Sequence, residues 1–250
     1  MAPLTMNEAK VTFGAIKKTA GGLRNVQTVI CPPNIYINEL KKTVSGHRCV
    51  VGAQNSFWSE EPASTGEVSP KMLNNLGVGY VILGHSERRA LGETDEIVSM
   101  KVKACLKEGL TVVLCVGESK RDEHGEYTKF IKNELIASLA GISKKNLKNI
   151  IVAYEPIWAI GKKAKRAASP EDALEVSILI KKILTDSFGK EAAMKTPILY
   201  GGSANPKNSE SFLTDGGADG LLVGRASLDA KKFSEMLKIA NSVKQSARSL

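Results

Sequence analysis

Seven short runs of apolar residues punctuate the chain: "QTVICP" at 27–32, "CVVGAQ" at 49–54, "YVILGH" at 80–85 and "VVLCVG" at 112–117, then "IIVAYEP" at 150–156, "PILYGG" at 197–202 and "GLLVGR" at 220–225. Each is nearly continuous in hydrophobicity rather than alternating, which is how parallel strands covered on both faces read. Between them the apolar positions recur at helical spacing. Phe233, Met236, Leu237, Ala240 and Val243 mark one such stripe. The stretch 169–184 opens with a Ser cap, Pro at the first helical position and acids in the first turn. Residues 94–109 begin on Thr or Asp and stop on Gly. Residues 1–22 form a leading amphipathic helix whose apolar face carries Ala9, Phe13 and Ile16. Every strand is followed by a helix, so the chain reads as parallel β/α units. Seven units behind one leading helix make an eightfold alternation without its first strand. No change in composition divides the chain, so residues 1–250 are expected to form a single α/β domain, a (β/α)8 barrel missing one strand. The face of Ala9, Phe13 and Ile16 would then lie uncovered.

Composition narrows the classes of function. Hydrophobic residues make up 42% and charged residues 24%, as expected of a globular protein, and no apolar run is long enough to span a bilayer. The 35 basic residues outnumber the 26 acidic ones, a net charge of +9 that favours anionic partners such as phosphorylated metabolites. The lysines are scattered in pairs and only 5% of residues are aromatic, so a nucleic-acid surface with stacking rings fits poorly. Cys31, Cys49, Cys105 and Cys115 include no Cys-x-x-Cys pair, and none is spaced with His47, His85 or His124 as a zinc site requires. No metal is expected. Most of these cysteines sit in strand-like runs and read as buried, reduced thiols.

In a barrel of this kind, functional groups gather where strands end and loops begin. Those positions carry "GHSERR" (84–89), "CVGE" (115–118), "YEPIWAIG" (154–161), "YGGS" (200–203) and "VGRAS" (223–227). One His, one Glu and several Gly and Ser residues would converge on one mouth. Glycines let backbone N–H groups approach an anion closely, which points to a phosphate pocket. Each position also has a plain structural explanation. His85 could be a hydrogen-bonded structural histidine, Glu155 the partner of a nearby Arg or Lys, and Cys115 core filler. Glu87, Arg88 and Arg89 read as a salt-bridge cluster that holds loops in place.

Taken together, "YVILGHSERR", "VAYEPIWAIG", "ILYGGS" and "DGLLVGRASL" resemble, in order and spacing, the signature stretches of the triosephosphate isomerase family. "GAQNSFWSEEPASTGEVSP" at 52–70 is similar to that family's third loop. The resemblance covers nearly the whole chain. It implies a TIM barrel that interconverts dihydroxyacetone phosphate and glyceraldehyde 3-phosphate with no cofactor. Glu155 matches the family's base and His85 its electrophile. Gly161, Ser203, Gly224 and Arg225 match positions whose main-chain N–H groups hold the substrate phosphate, with Arg225 standing where a second glycine is usual. Glu87 and Cys115 match supporting positions near the site. Residues 156–172 match a lid loop, here longer and more basic, with "KKAKR" at 162–166. That run reads either as a lure for phosphate or as a solvated loop tip. Thr65, Gly66 and Glu67 resemble the loop tip that enters a partner subunit, so a homodimer is implied. Phe57 and Trp58 on the same loop would be costly to leave in water. A cytoplasmic location is implied by the glycolytic and gluconeogenic role of the family. No nucleic-acid or membrane partner is expected.

The family's first strand ends in an Asn-Trp-Lys-Met-Asn type motif whose lysine binds the phosphate and neutralises the enediolate. "MAPLT" resembles the segment just after that lysine, with Met1 at the motif's methionine. This leaves two expectations: a start assigned at an internal methionine, or a decayed, non-catalytic phosphate-binding barrel. The first is favoured, because losing a core strand would open the barrel and leave two strand edges unpaired. Without that lysine, the 250-residue chain is expected to have little isomerase activity.

Overall fold

The computed structural model of the protein describes residues 2–44, 46–59, 64–161, 164 and 166–246. The leading helix is α1 (Met6–Gly21), started by Thr5, whose side chain accepts the Glu8 N–H. Next come β1 (Thr28–Ile30), α2 (Asn34–Lys41), β2 (Cys49–Val51) and α3 (Pro70–Asn75). They are followed by β3 (Tyr80–Leu83), α4 (Ser86–Ala90), α5 (Asp95–Lys107), β4 (Thr111–Val116) and α6 (Glu126–Ser138). The last part holds β5 (Ile150–Tyr154), α7 (Pro170–Phe188), α8 (Lys190–Lys195), β6 (Ile198–Tyr200), α9 (Ser209–Leu213), β7 (Gly220–Leu221) and α10 (Ala230–Ser246).

All strand pairs are parallel and follow chain order. β1 pairs with β2, and β3 to β7 form one continuous sheet. A bridge between Ala53 and Val81 joins the two, with the Ala53 N–H donating to Tyr80 O and the Ile82 N–H to Ala53 O, each at 2.9 Å. This is the architecture of a TIM barrel, with seven strands among the described residues and helices outside them.

Every strand but β4 is shorter than the apolar run that announced it. The run "YVILGH" pairs only through Leu83, because Gly84 turns the chain out of the sheet at a φ of +68°. A side chain is strained at that angle, and a Cβ there would also meet Cys115 O at 3.2 Å. The helix expected over 169–184 continues to Phe188 and stops at Gly189, whose φ is +87°. The helix expected over 94–109 is capped by Thr94 and ends before Gly109, again at positive φ.

One expectation is overturned. Ala9, Phe13 and Ile16 are not uncovered; all three are buried, with Ala20, where α1 packs on α2, α10 and β2. Neighbouring helices take over the apolar stripe.

Candidate active site

Side chains alternate across a strand, so Ile151, Ala153 and Glu155 share one face of β5 and its continuation. Glu155 is still held in register, its N–H donating to Val116 O at 2.8 Å, while the Gly201 N–H donates to Tyr154 O at 2.7 Å. Both of its neighbours on that face are glycines. A Cβ on Gly117 would lie 1.7 Å from Glu155 O, and one on Gly201 would lie 3.0 Å from Glu155 Cγ. A side chain at Gly117 would collide with the backbone of Glu155, and one at Gly201 would press on its side chain.

Glu155 is only 3% exposed, a costly place for a carboxylate without partners. Its Oε2 accepts the Ser86 N–H at 2.9 Å, and its Oε1 lies 3.0 Å from His85 Nε2. Among the described residues His85, rather than any Arg or Lys, is its ion-pair partner. His85 caps α4, with Nδ1 accepting the Glu87 N–H at 3.2 Å. That bond assigns the proton of a neutral ring to Nε2, where it faces Glu155. Burial of the ring opposes protonation. The hydrogen bond from Glu155 and the charges of Glu155 and Glu87 outweigh it, so the His85 pKa is raised above the ordinary histidine range. The Glu87 N–H, which needs an unprotonated Nδ1, works against that gain.

The other predicted residues lie at the same end of the sheet. Gly161, with a φ of +88°, follows a 3-10 turn over Ile157–Ala159 beyond β5. Ser203 is exposed beyond β6, its carbonyl accepting the side-chain amides of Asn205 and Asn208. Gly224 and Arg225 are exposed beyond β7, at the start of a 3-10 turn closed by the Ser227 N–H donating to Gly224 O. Because β5, β6 and β7 are parallel neighbours, all four sit beyond adjacent strand ends, on the side of His85 and Glu155. Glu87 contributes its N–H while its side chain is exposed. Cys115 is fully buried, and burial, reinforced by the charge of Glu155, pushes its thiol pKa well up. Thr65 is exposed on the separate loop between β2 and α3. No group of three His, Cys, Asp or Glu residues able to hold a metal occurs among the described residues, and none of their helices is long and apolar enough to cross a membrane.

A family model described as triosephosphate isomerase matches residues 3–240 of this chain. The chain belongs to the triosephosphate isomerase family. Proteins named triosephosphate isomerase are similar to it over most of their length. One from Carboxydothermus hydrogenoformans is 41% identical over 230 residues, 90% of this chain and 91% of that protein. One from Fusobacterium nucleatum is 42% identical over 236 residues, 94% and 93% of the two chains. One from Dehalococcoides mccartyi is 41% identical over 243 residues, 96% and 94%.

The segment that matches the triosephosphate isomerase lid is anchored at both ends. The Trp158 N–H donates to Glu118 O at 3.2 Å and its indole Nε1–H to Glu118 Oε1 at 2.7 Å. The buried Glu118 also accepts the Tyr154 hydroxyl and an Arg121 N–H, and burial raises its pKa. At the far end Arg166 grips Asp172 with both Nη atoms, at 2.5 and 3.0 Å, and lies 4.6 Å over the Trp158 ring. Arg166 holds the Asp172 carboxyl at about 2, helped by the Ser169 N–H. So Arg166, the last residue of the basic run, is tied down. Lys162, Lys163 and Lys165 lie outside the described residues, as does Met1.

The strand-end strings held His85 and Glu155, which meet at 3.0 Å, but not the groups around them. Ser86 acts through its backbone N–H, which no side-chain motif reports. Of Glu87, Arg88 and Arg89, the two arginines form the ion pairs: Arg88 with Glu93, and Arg89 with Asp95 on α5 and Glu134 on α6. Glu134 was legible in principle, as an acid inside the buried stripe Ile131, Leu135 and Ser138 of α6.

Proposed function

We propose that this protein interconverts dihydroxyacetone phosphate and D-glyceraldehyde 3-phosphate through an enediolate, with Glu155 as base and His85 as electrophile. The observation that carries the reading is a buried carboxylate and an imidazole nitrogen 3.0 Å apart, beyond the ends of parallel strands of one sheet. The assignment of a glutamate base to work with a neutral histidine is the family's own chemistry and not a deduction from these distances. The geometry suits it. Glu155, desolvated and aimed by the Ser86 N–H, takes a proton from the carbon beside the carbonyl and returns it to the neighbouring carbon. The His85 Nε2–H polarises the carbonyl oxygen and moves protons between the two oxygens. A proton shift between adjacent carbons changes no overall oxidation state, so no redox cofactor is required.

The main-chain N–H groups of Gly161, Ser203, Gly224 and Arg225 hold the phosphate in this reading. Their exposure at adjacent strand ends supports it, and Arg225 loses nothing as a backbone donor. Glu87 and Cys115 support the pair. The segment over 156–172 closes on bound substrate and keeps water from the enediolate, again the family's own device. Residues 1–250 act as one domain, and the enzyme works in the cytoplasm, in glycolysis and gluconeogenesis. It does so as a homodimer, with Thr65 at the tip of the loop that meets a second copy. Phe57 and Trp58 on that loop meet with ring centroids 4.0 Å apart and stay partly exposed, which suits further burial. No observation favours a non-catalytic phosphate-binding barrel.

The test is conversion of dihydroxyacetone phosphate by the native protein, with whatever N-terminal segment its gene encodes, beside Glu155→Gln. The variant should keep its fold and lose about 10²- to 10⁴-fold in kcat. An unchanged rate would refute the assignment of the base.

A further inference from the structure

Glu134 is an acid buried on the strand-facing side of α6, between Ile131, Leu135 and Ser138. Its Oε2 accepts the Gly117 N–H at 2.7 Å, and its Oε1 lies 3.2 Å from Arg89 Nε. Each partner leads to one member of the reacting pair. Gly117 lies directly against the backbone of Glu155, with no room even for a Cβ between them. Arg89 donates from Nε to Gly84 O at 2.8 Å, and Gly84 immediately precedes His85. Arg89 is itself fixed by Asp95 at 2.5 Å and by the Ser138 hydroxyl at 3.1 Å.

We propose that Glu134 is a positioning residue for the isomerisation: by holding the Gly117 N–H on one oxygen and Arg89 on the other, it sets the backbone under Glu155 against the backbone under His85. This rests on the reading of His85 and Glu155 as the reacting pair. The tie works when Glu134 is ionised. Protonation turns one oxygen into a hydroxyl and removes the charge that Arg89 faces, so both contacts weaken together.

That ionisation falls in the working range. Burial pushes the Glu134 pKa up to about 7, against the opposing pull of Arg89 and the Gly117 N–H, with Asp95 and Glu155 adding repulsion. The charged or titratable groups around it are Arg89 on α4, Asp95 on α5, Cys115 on β4 and Glu155 beyond β5. The nearby acids of α7, Asp172 and Glu175, pair instead with Arg121 and Arg166. Activity and stability then respond to pH in opposite directions. Positioning improves as pH rises through about 7, where Glu134 ionises. Stability moves the other way. A raised carboxyl pKa contributes stability that is complete below the ordinary carboxylate range and lost as pH rises through the folded value.

The experiment compares wild type, Glu134→Gln and Glu134→Leu. In the wild type the Gly117 and Ser86 amide resonances titrate together with a midpoint near pH 7, and Glu134→Gln abolishes that titration. Between about pH 8 and about pH 6 wild-type kcat falls about threefold more than that of Glu134→Gln, which keeps only the limb set by His85, with KM changing less than about twofold. Glu134→Leu, which offers no acceptor, lowers kcat about tenfold at each pH. The melting temperature of Glu134→Gln gains on wild type as pH rises, a trend that a purely structural contact would show without the kcat limb. A Gly117 amide that does not titrate, or a pH profile of kcat identical in wild type and Glu134→Gln, overturns the proposal. If Glu134→Leu does not fold, the Glu134→Gln arm decides alone. Intact isomerisation without the amide titration removes only the role of Glu134. An intact titration without any isomerisation removes the underlying reading of the pair.

Discussion

The two faces of the sheet are filled differently. Toward the helices, Val81, Leu83, Val112, Leu114, Ile150 and Val152 are at most 1% exposed and belong to one large apolar cluster. On the other face the buried apolar cluster is small, Val113, Cys115 and Ala153, with Ile82, Ile151, Leu199 and Leu222 packed around them and partly exposed. The same alternation that puts Val152 and Tyr154 under the helices puts Ala153 and Glu155 on the sparse face. There the small residues continue to the strand ends, at Gly84, Gly117 and Gly201. The helix-side face supplies cohesion through large side chains. The other face gives up packing to make room for a carboxylate, its imidazole partner and a substrate.

That contrast can be broken by experiment. The largest effect belongs to the sparse face: His85→Leu removes the Nε2–H donor and should lower kcat by about 10²- to 10³-fold, or about 3–4 kcal/mol of transition-state stabilisation, with little change in melting temperature. Steady-state kinetics beside thermal melting would check both halves. On the helix side Leu114→Ala should behave in the opposite way, costing about 3 kcal/mol of stability, some 6–12 °C in melting temperature, while substrate binding survives. Gly201→Ala should combine the two, because its Cβ reaches Glu155 Cγ at 3.0 Å. A stability cost of about 1 kcal/mol is expected with a clear loss of kcat. The smallest effect should come from Leu199→Ala, about 1 kcal/mol, since Leu199 lines the face already partly open. Equal costs for Leu114→Ala and Leu199→Ala in urea unfolding would erase the distinction between the faces.

The sequence made one level of this organisation plain and left another dark. Continuous apolar runs revealed parallel strands, because strands covered on both sides need no alternation. For the same reason they could not say which residues face the helices; Val113 and Leu114 look alike in the chain and sit on opposite faces. His85 and Glu155 were legible because they stand at strand ends in distinctive strings. The Ser86 N–H, the fit of Gly117 and Gly201 against Glu155, and the link from Glu134 to Arg89 are relations between distant segments, and single strings do not carry them. The anchoring of Arg166 on Asp172 and Trp158 was hidden in the same way, since a basic run gives no sign that its last member is paired. The stripe of Ala9, Phe13 and Ile16 was read correctly as apolar and wrongly as uncovered, because periodicity identifies a buried face without identifying its neighbour.

The central claim is that Glu155 carries a proton between two carbons of a triose phosphate. It is tested most directly by running the isomerisation in deuterated water and measuring deuterium at the carbon-bound position of recovered product and substrate. Solvent deuterium should appear in that position with the native enzyme, and with Glu155→Gln exchange and turnover should fall together by about 10²- to 10⁴-fold. Turnover and exchange at wild-type rates in Glu155→Gln would contradict it.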